Sequence, residues 1–159
     1  DLCTVRRGAS VRCVARYRLS VGGFVMQAIR EFFQNDRFAQ HSGIELLEIA
    51  EGRAKARMPI RDWHRNSVNT VHGGAIFTLA DLVFAAASNS HGTVAVAINA
   101  SIWYVKAATE GTLYAEAREV SRNPKLAVYA IEVTDDAGDL VAQFEGMVYR
   151  KKDPIASQA

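Results

Sequence analysis

The chain of 159 residues predicts an α+β domain, a six-stranded antiparallel sheet wrapped around one long central helix. Three observations predict it. Residues 73–88 are apolar nearly all round apart from one ionisable side chain, Asp81, which marks a helix buried on most sides. Two strand-like runs precede that helix, at 44–50 and 53–58. Four more follow it, at 94–106, 112–121, 125–135 and 140–150, separated by turn sequences rather than helices. Strands linked by turns form an antiparallel meander, and a helix this apolar needs a sheet curled around it.

The residues before 26 differ from the rest. They hold Arg6, Arg7, Arg12, Arg16 and Arg18 against one acid, Asp1, together with both cysteines, Cys3 and Cys13. The overall charge of +2 therefore belongs to this leader, and the body is net acidic. An Arg-rich, acid-poor segment has the composition of an organelle transit peptide. The plainer reading is upstream or expression sequence, with Met26 as the natural start. The expected domain is 26–150, with 1–25 outside the fold and 151–159 a tail. The body lacks a basic stripe, so no nucleic-acid partner is expected. No apolar run reaches the roughly 20 residues of a spanning helix, so no membrane partner is expected either. A cysteine-free body suits a reducing compartment, and the expected location is cytoplasmic.

Residues 26–40 carry apolar side chains at 29, 32, 33 and 38, the pattern of a short amphipathic helix capping the domain and ended by Ser42-Gly43. The run 53–58 alternates strictly, with Arg53, Lys55 and Arg57 outward and Ala54, Ala56 and Met58 inward. Glu51-Gly52 is the turn before it, and Pro59 closes it. Residues 60–71 form a polar loop with Trp63, His64, Arg65 and Asn66. A loop just before a helix start is a fitting place for site residues. The later turns are Thr109-Glu110-Gly111, Arg122-Asn123-Pro124 and residues 135–139.

Two features of the central helix are costly. Gly73-Gly74 occupies its opening turn, where each Gly costs about 1 kcal/mol against Ala in a helix interior. Either a strand passes close there, or the backbone N–H groups are left open to a ligand. An open helix start attracts negative charge and polarises a carbonyl oxygen. Asp81 is the second, because a carboxylate among apolar neighbours is seldom kept unless paired or used. Seven residues separate Gly74 from Asp81. That spacing puts both on one face, yet roughly 10 Å apart along the axis. A reacting group must lie within about 3 Å of both donor and nucleophile. One chain cannot easily provide both, and two antiparallel copies can. The spacing thus predicts a homodimer with two sites across its interface.

Asn66, His72-Gly73-Gly74 and Ala80-Asp81, at these spacings, resemble the hotdog-fold acyl-CoA thioesterases of the phenylacetyl-CoA thioesterase (PaaI) type. Leu79-Ala80-Asp81 and Ala87-Ser88-Asn89-Ser90 add local matches, and the resemblance runs from about residue 26 to 150. It implies a hotdog fold, hydrolysis of an aryl-acetyl or medium-chain acyl-CoA, a homotetramer built from two dimers, and no cofactor, coenzyme A being part of the substrate. It also implies roles. Gly74 N–H, assisted by Gly73, would hold the oxyanion. Asp81 of the second copy would act as general base or as nucleophile. Asn66 would orient water or thioester, and His72 would hold the helix start. Asn99 stands where this family often has Ser or Thr, a departure from the pattern.

The phosphates of coenzyme A call for basic residues, and the candidates are Lys106, Arg122, Lys125 and Arg150, with the turn at Arg122 the best placed. Phe77, Phe84 and Trp103 are large enough to shape an acyl pocket and also fit an ordinary core. The four histidines, His41, His64, His72 and His91, lack metal-ligand spacing, so no metal is expected. There is no G-x-S-x-G motif and no phosphate-cradling glycine loop. Two rivals remain: a non-enzymatic acyl-CoA-binding module, and an acyl-thioester hydratase. The hydratase usually needs a His facing the substrate, and the helix offers none at the depth of Asp81.

Overall fold

The computed structural model describes residues 21–155. The chain opens with helices α1 (Val21–Phe33) and α2 (Arg37–His41), followed by strands β1 (Glu45–Ala50) and β2 (Arg53–Pro59). A single 3-10 turn (Asp62–His64) leads to α3 (Gly73–Asn89). Strands β3 (Thr93–Tyr104), β4 (Thr112–Arg122), β5 (Leu126–Thr134) and β6 (Leu140–Pro154) complete it. The six strands form one sheet in the order β1-β2-β4-β5-β6-β3, with every pair antiparallel.

The expected α+β architecture is present, with three differences. First, one helix over 26–40 is in fact two. Asn35-Asp36 interrupts it, because Asp36 caps α2 by accepting a hydrogen bond from the Ala39 amide at 2.9 Å. Asn and Asp favour such caps over helix interiors. Second, α1 begins at Val21 and β6 runs to Pro154, so both reach past the boundaries drawn at 26 and 150. The other leader residues, including the five arginines and both cysteines, and the end of the tail lie outside the described residues. Third, β3 pairs with β6 rather than β4. The chain leaves α3 at the far edge of the sheet and returns to its middle with β4.

Helix α3 lies across the concave face of the sheet. Leu79, Ala80, Val83, Phe84, Ala86 and Ala87 are buried there against Met58, Leu113, Tyr129, Ile131 and Phe144. Phe77 and Phe84 stack edgewise or tilted on Phe144, so both belong to the core rather than to an acyl pocket. Strand β6 passes so close to α3 that a Cβ on Gly146 would come within 2.5 Å of the Phe84 ring. Irregular pairing at residues 46–48, 97–99 and 119–121 marks bulges, and bulges increase the twist that curls a sheet.

Strand β3 ends the sheet with one side unpaired. Ile98 is 55% exposed and Trp103 52%, with Val96 and Tyr104 also uncovered. Such an edge templates pairing with another chain. Trp103, the third candidate for the acyl pocket, belongs to this edge.

Candidate active site

The loop before α3 is built by Asn66. Its Oδ1 accepts from the amides of Val68 and Thr70, each at 3.1 Å, and its Nδ2 donates to Thr70 Oγ1 at 3.0 Å. Asn69 takes φ of 61°, a left-handed conformation that Asn tolerates. The loop is tied down by Val71 N–H to Ala108 O at 2.8 Å and His72 N–H to His64 O at 2.7 Å. His64 is buried: its Nδ1 accepts from the Arg61 amide and its Nε2 donates to Ser42 O, so it joins the loop to the end of α2.

His72 is the N-cap of α3. Its Nδ1 accepts from Gly74 N–H at 2.8 Å, which leaves the ring proton on Nε2. Tyr104, at the end of β3, donates its hydroxyl to Gly73 O at 3.0 Å. The peptide between the two glycines is therefore held at both ends. Ala75 and Ile76 both donate to His72 O. The one amide of this opening turn without an acceptor among the described residues is Gly73 N–H. Sequence reasoning put Gly74 first and Gly73 second as donor; in the structure His72 engages the Gly74 amide, and the Gly73 amide is the open one. The reason is local: a His at the N-cap satisfies the N2 amide and leaves N1 open. Both readings of the diglycine also hold at once. Tyr104 passes so close that a Cβ on Gly73 would sit 3.1 Å from its ring, and the Gly73 amide is free.

The two glycines face different clefts. Gly73 lines one of about 380 Å³ with Asn66, Thr70, Ile76, Tyr104 and Lys106. Gly74 lines another of about 560 Å³ with His72, Thr78, Trp63 and Phe38. An amide NH2 carries two hydrogens, so Asn66 Nδ2 keeps one beyond its bond to Thr70. Gly73 N–H and the second Asn66 Nδ2–H thus share a cleft as two donors.

Asp81 lines neither cleft. It is half-buried on α3 and has no hydrogen-bond partner among the described residues. Burial pushes its carboxyl above the ordinary range, and the charge of Asp36 adds to that. A raised carboxyl is better matched to taking a proton near neutral pH. Eight residues along the helix from Gly73 is roughly 12 Å of rise, so one protomer holds donor and acid apart. Asn99 is exposed on the free edge of β3, away from these groups in the sheet register.

The four basic candidates divide. Lys106 is engaged by Asp135 at 2.6 Å and Asp139 at 2.7 Å. Those two carboxylates hold its ammonium above the usual lysine range. Arg122 and Arg150 come together on an open cleft with Asn123 and Pro124. Arg150 donates to Asn123 O at 2.8 Å, and Arg122 pairs with Glu119 at 3.1 Å. Lys125 does not line that cleft. Tyr104 and Asp36 are the residues that sequence reasoning missed. Asn35-Asp36 was legible as a capping signal, whereas nothing local announces that Tyr104 will reach the helix start. Among the described residues no three His, Cys, Asp or Glu side chains converge as a metal-binding group, and no helix is long and apolar enough to cross a membrane.

Comparison with known proteins bears on the family and the fold. Residues 68–142 match the profile of the Thioesterase superfamily. An esterase candidate of Archaeoglobus fulgidus is 45% identical over 128 residues, which is 79% of this chain and 83% of that protein. The acyl-coenzyme A thioesterase PaaI of Escherichia coli is 33% identical over 134 residues, 84% of this chain and 96% of that protein. The chain belongs to the thioesterase superfamily. The structure of the Escherichia coli PaaI protein, from the phenylacetic acid degradation operon, superposes with a TM-score of 0.80 at 31% identity, covering 85% of this chain and 99% of that one. The fold is the hotdog of the PaaI-like thioesterases, and the chain is a thioester hydrolase of that family.

Proposed function

We propose that this thioesterase hydrolyses an acyl-CoA, of aryl-acetyl or medium-chain type, at two sites shared between two copies of the chain. The observation that carries the proposal is the open Gly73 amide. It shares a cleft with Asn66, while the carboxylate of Asp81 stands unpaired on the same helix and too far away to serve the same cleft. The free apolar edge of β3 supports the dimer. A second β3 laid antiparallel against it would cover Ile98, Trp103 and Tyr104 and carry a second α3 alongside the first. Packing of two dimers into a homotetramer is the further expectation, read by light scattering.

In this site the thioester carbonyl accepts hydrogen bonds from Gly73 N–H and Asn66 Nδ2. Asp81 of the second copy takes a proton from water as the water oxygen adds to the carbonyl carbon. The negative charge then rests on the carbonyl oxygen, held by the two donors and the helix start. Collapse breaks the carbon–sulfur bond, and Asp81 returns the proton to the departing thiolate. Asp81 attacking directly would break the carbon–sulfur bond, release the coenzyme A thiolate and leave a mixed acyl anhydride that water then opens to two carboxylic acids. His72 and Tyr104 fix the Gly73–Gly74 peptide and so aim the donors. Arg122 and Arg150 offer positive charge for the phosphates of coenzyme A. No step calls for a cofactor.

The experiment is free-thiol release from a panel of acyl-CoAs, wild type beside Asp81→Asn. Turnover that disappears in the variant is the expected result. Wild-type protein that binds acyl-CoA without releasing thiol would instead mark a binding module. Mixing inactive Asp81→Asn with an inactive Gly73→Pro variant should restore activity through subunit exchange. Proven exchange with no recovery would sink the shared site.

A further inference from the structure

Strand β4 carries a bulge near its end. In a regular strand, residues three apart point to opposite faces of the sheet. Here Glu119 pairs with Tyr129 and Arg122 with Ala127, and the register slips between Glu119 and Ser121. Tyr129 and Ala127 are both buried in the core, so the extra residue turns Glu119 and Arg122 to the same side. Bulges re-aim side chains in this way.

The two side chains then meet. Glu119 Oε1 accepts from Arg122 Nε at 3.1 Å. The other oxygen, Oε2, accepts from Tyr129 OH at 2.7 Å and lies 2.6 Å from His91 Nε2. Tyr129 is fully buried, and the His91 side chain is only 7% exposed. The Glu119 amide donates to Gly52 O at 2.8 Å, which fixes its backbone to the turn between β1 and β2. One oxygen of Glu119 is thus anchored on buried partners, and the other is presented to an exposed guanidinium. Arg122 and Arg150 line the same open cleft. Arg150 is also held, donating to Asn123 O at 2.8 Å. Each guanidinium keeps further N–H donors beyond the one so engaged.

Resting on the reading of this cleft as the phosphate site of coenzyme A, we infer that Glu119 is a positioning residue: anchored by Tyr129 and His91, it holds the Arg122 guanidinium in place for the anion. Ordering an arginine side chain costs more than one solvent-screened charge contributes. Holding Arg122 in place beforehand therefore outweighs the repulsion between Glu119 and a phosphate.

The test compares KM for an acyl-CoA with KM for the same acyl group on pantetheine, which lacks the phosphates. In Glu119→Gln the amide oxygen stays with Tyr129 and His91, and the NH2 turns to Arg122, donor against donor. KM for acyl-CoA is expected to rise about three- to fivefold, the scale of one exposed charge pair, with kcat and the acyl-pantetheine KM unchanged. Arg122→Lys keeps the charge and loses the fork through which Nε is held, so it should raise KM to the same degree. Tyr129→Phe is the control. It weakens the fold but leaves Arg122 paired with Glu119, and KM for acyl-CoA should stay at the wild-type value. KM does not depend on the fraction of protein that is folded, so lost stability does not imitate the result. An unchanged or lower KM in Glu119→Gln and Arg122→Lys, while Arg122→Ala raises it, would overturn the positioning role and leave the phosphate reading standing. A rise of equal size in Tyr129→Phe would overturn it as well, by assigning the effect to a loosened core. Wild type with equal KM for acyl-CoA and acyl-pantetheine would overturn the phosphate reading, and this inference with it.

Discussion

The two ends of α3 are finished differently. At its C-terminal end the polar side chains of Ser88, Asn89 and Ser90 all have partners. Ser90 Oγ accepts from Gly52 N–H and donates to Ala87 O, both at 2.7 Å. Asn89 bridges Ala85 and Ala95. Beyond it, Glu119 accepts from Tyr129 OH at 2.7 Å and lies 2.6 Å from His91 Nε2, while Glu51 approaches the other His91 nitrogen at 3.4 Å. At the N-terminal end Gly73 N–H is open and Asn66 holds a spare hydrogen, and at the middle of the helix Asp81 has no partner among the described residues. The closed end ties the helix to the sheet. The open end leaves groups for a substrate and a second copy of the chain. Polar groups left unpaired in a folded protein cost free energy, so open groups at the helix start and at Asp81, but not at the far end, are a mark of use.

The largest effect should come from Asp81→Asn. Loss of a general base or nucleophile is expected to lower thiol release about 10²–10⁴-fold. The same change should raise the melting temperature near neutral pH. A carboxyl held above its unfolded value of 3.8 binds protons more readily in the folded state, so its ionisation weakens the fold as pH rises. The stabilisation by Asn should therefore shrink as pH falls toward 3.8. A variant that loses activity with no gain in stability would break the link between strain and use.

Gly73→Pro comes next. Gly73 is the first helical position, where Pro is well accommodated. His72 before it already has φ −61° and ψ 133°, the extended geometry that Pro requires of its predecessor. The substitution removes the open amide, presses on Tyr104 as any Cβ there does, and should cost about 10²–10³-fold in kcat. Gly73→Ala keeps the N–H and presses equally on Tyr104, so it should remain far more active. Equal loss in both variants would assign the effect to Tyr104 rather than to the amide.

At the closed end, Tyr129→Phe and Glu119→Gln should reverse the pattern. Each is expected to cost about 1–3 kcal/mol of stability, read by urea unfolding, with kcat of the folded fraction kept. Burial pushes Glu119 upward, but hydrogen bonds from Tyr129 and His91 outweigh it and hold the carboxyl below the ordinary 4.5. Its stabilisation is thus present above that value and fades as pH falls through the folded-state value, the opposite sign to Asp81. The smallest effects belong to the coenzyme A residues. Arg150→Ala should raise KM a few-fold without changing kcat, as expected for a half-buried, solvent-screened charge. Lys106→Ala should raise it less, since Asp135 and Asp139 already balance that cation.

Much of this protein could be read along the chain. The period of two in Arg53–Pro59 and the apolar run of Gly73–Asn89 are local patterns, and local patterns report local geometry. The spacing of Asn66, Gly73 and Asp81 is equally local, since a helix converts residue number into rise and angle. That is why the distance between donor and acid, and with it the expectation of two copies, followed from counting.

Other decisions needed the packed chain. Which glycine amide stays open depends on the rotamer of His72, and the carbonyl between the glycines is held by Tyr104, thirty-one residues away. That Lys106 is neutralised and Arg122 joins Arg150 depends on loops that meet only when β4, β5 and β6 pair. The break at Asn35-Asp36 makes α2, whose Ala39 and Gln40 line a cavity with α1, β1 and Leu82. Sequence by itself determined the elements and the spacing of chemical groups along them, because backbone geometry is short-ranged. Tertiary structure alone decided which of those groups were left without partners, because a hydrogen bond is taken by whichever neighbour folding brings near.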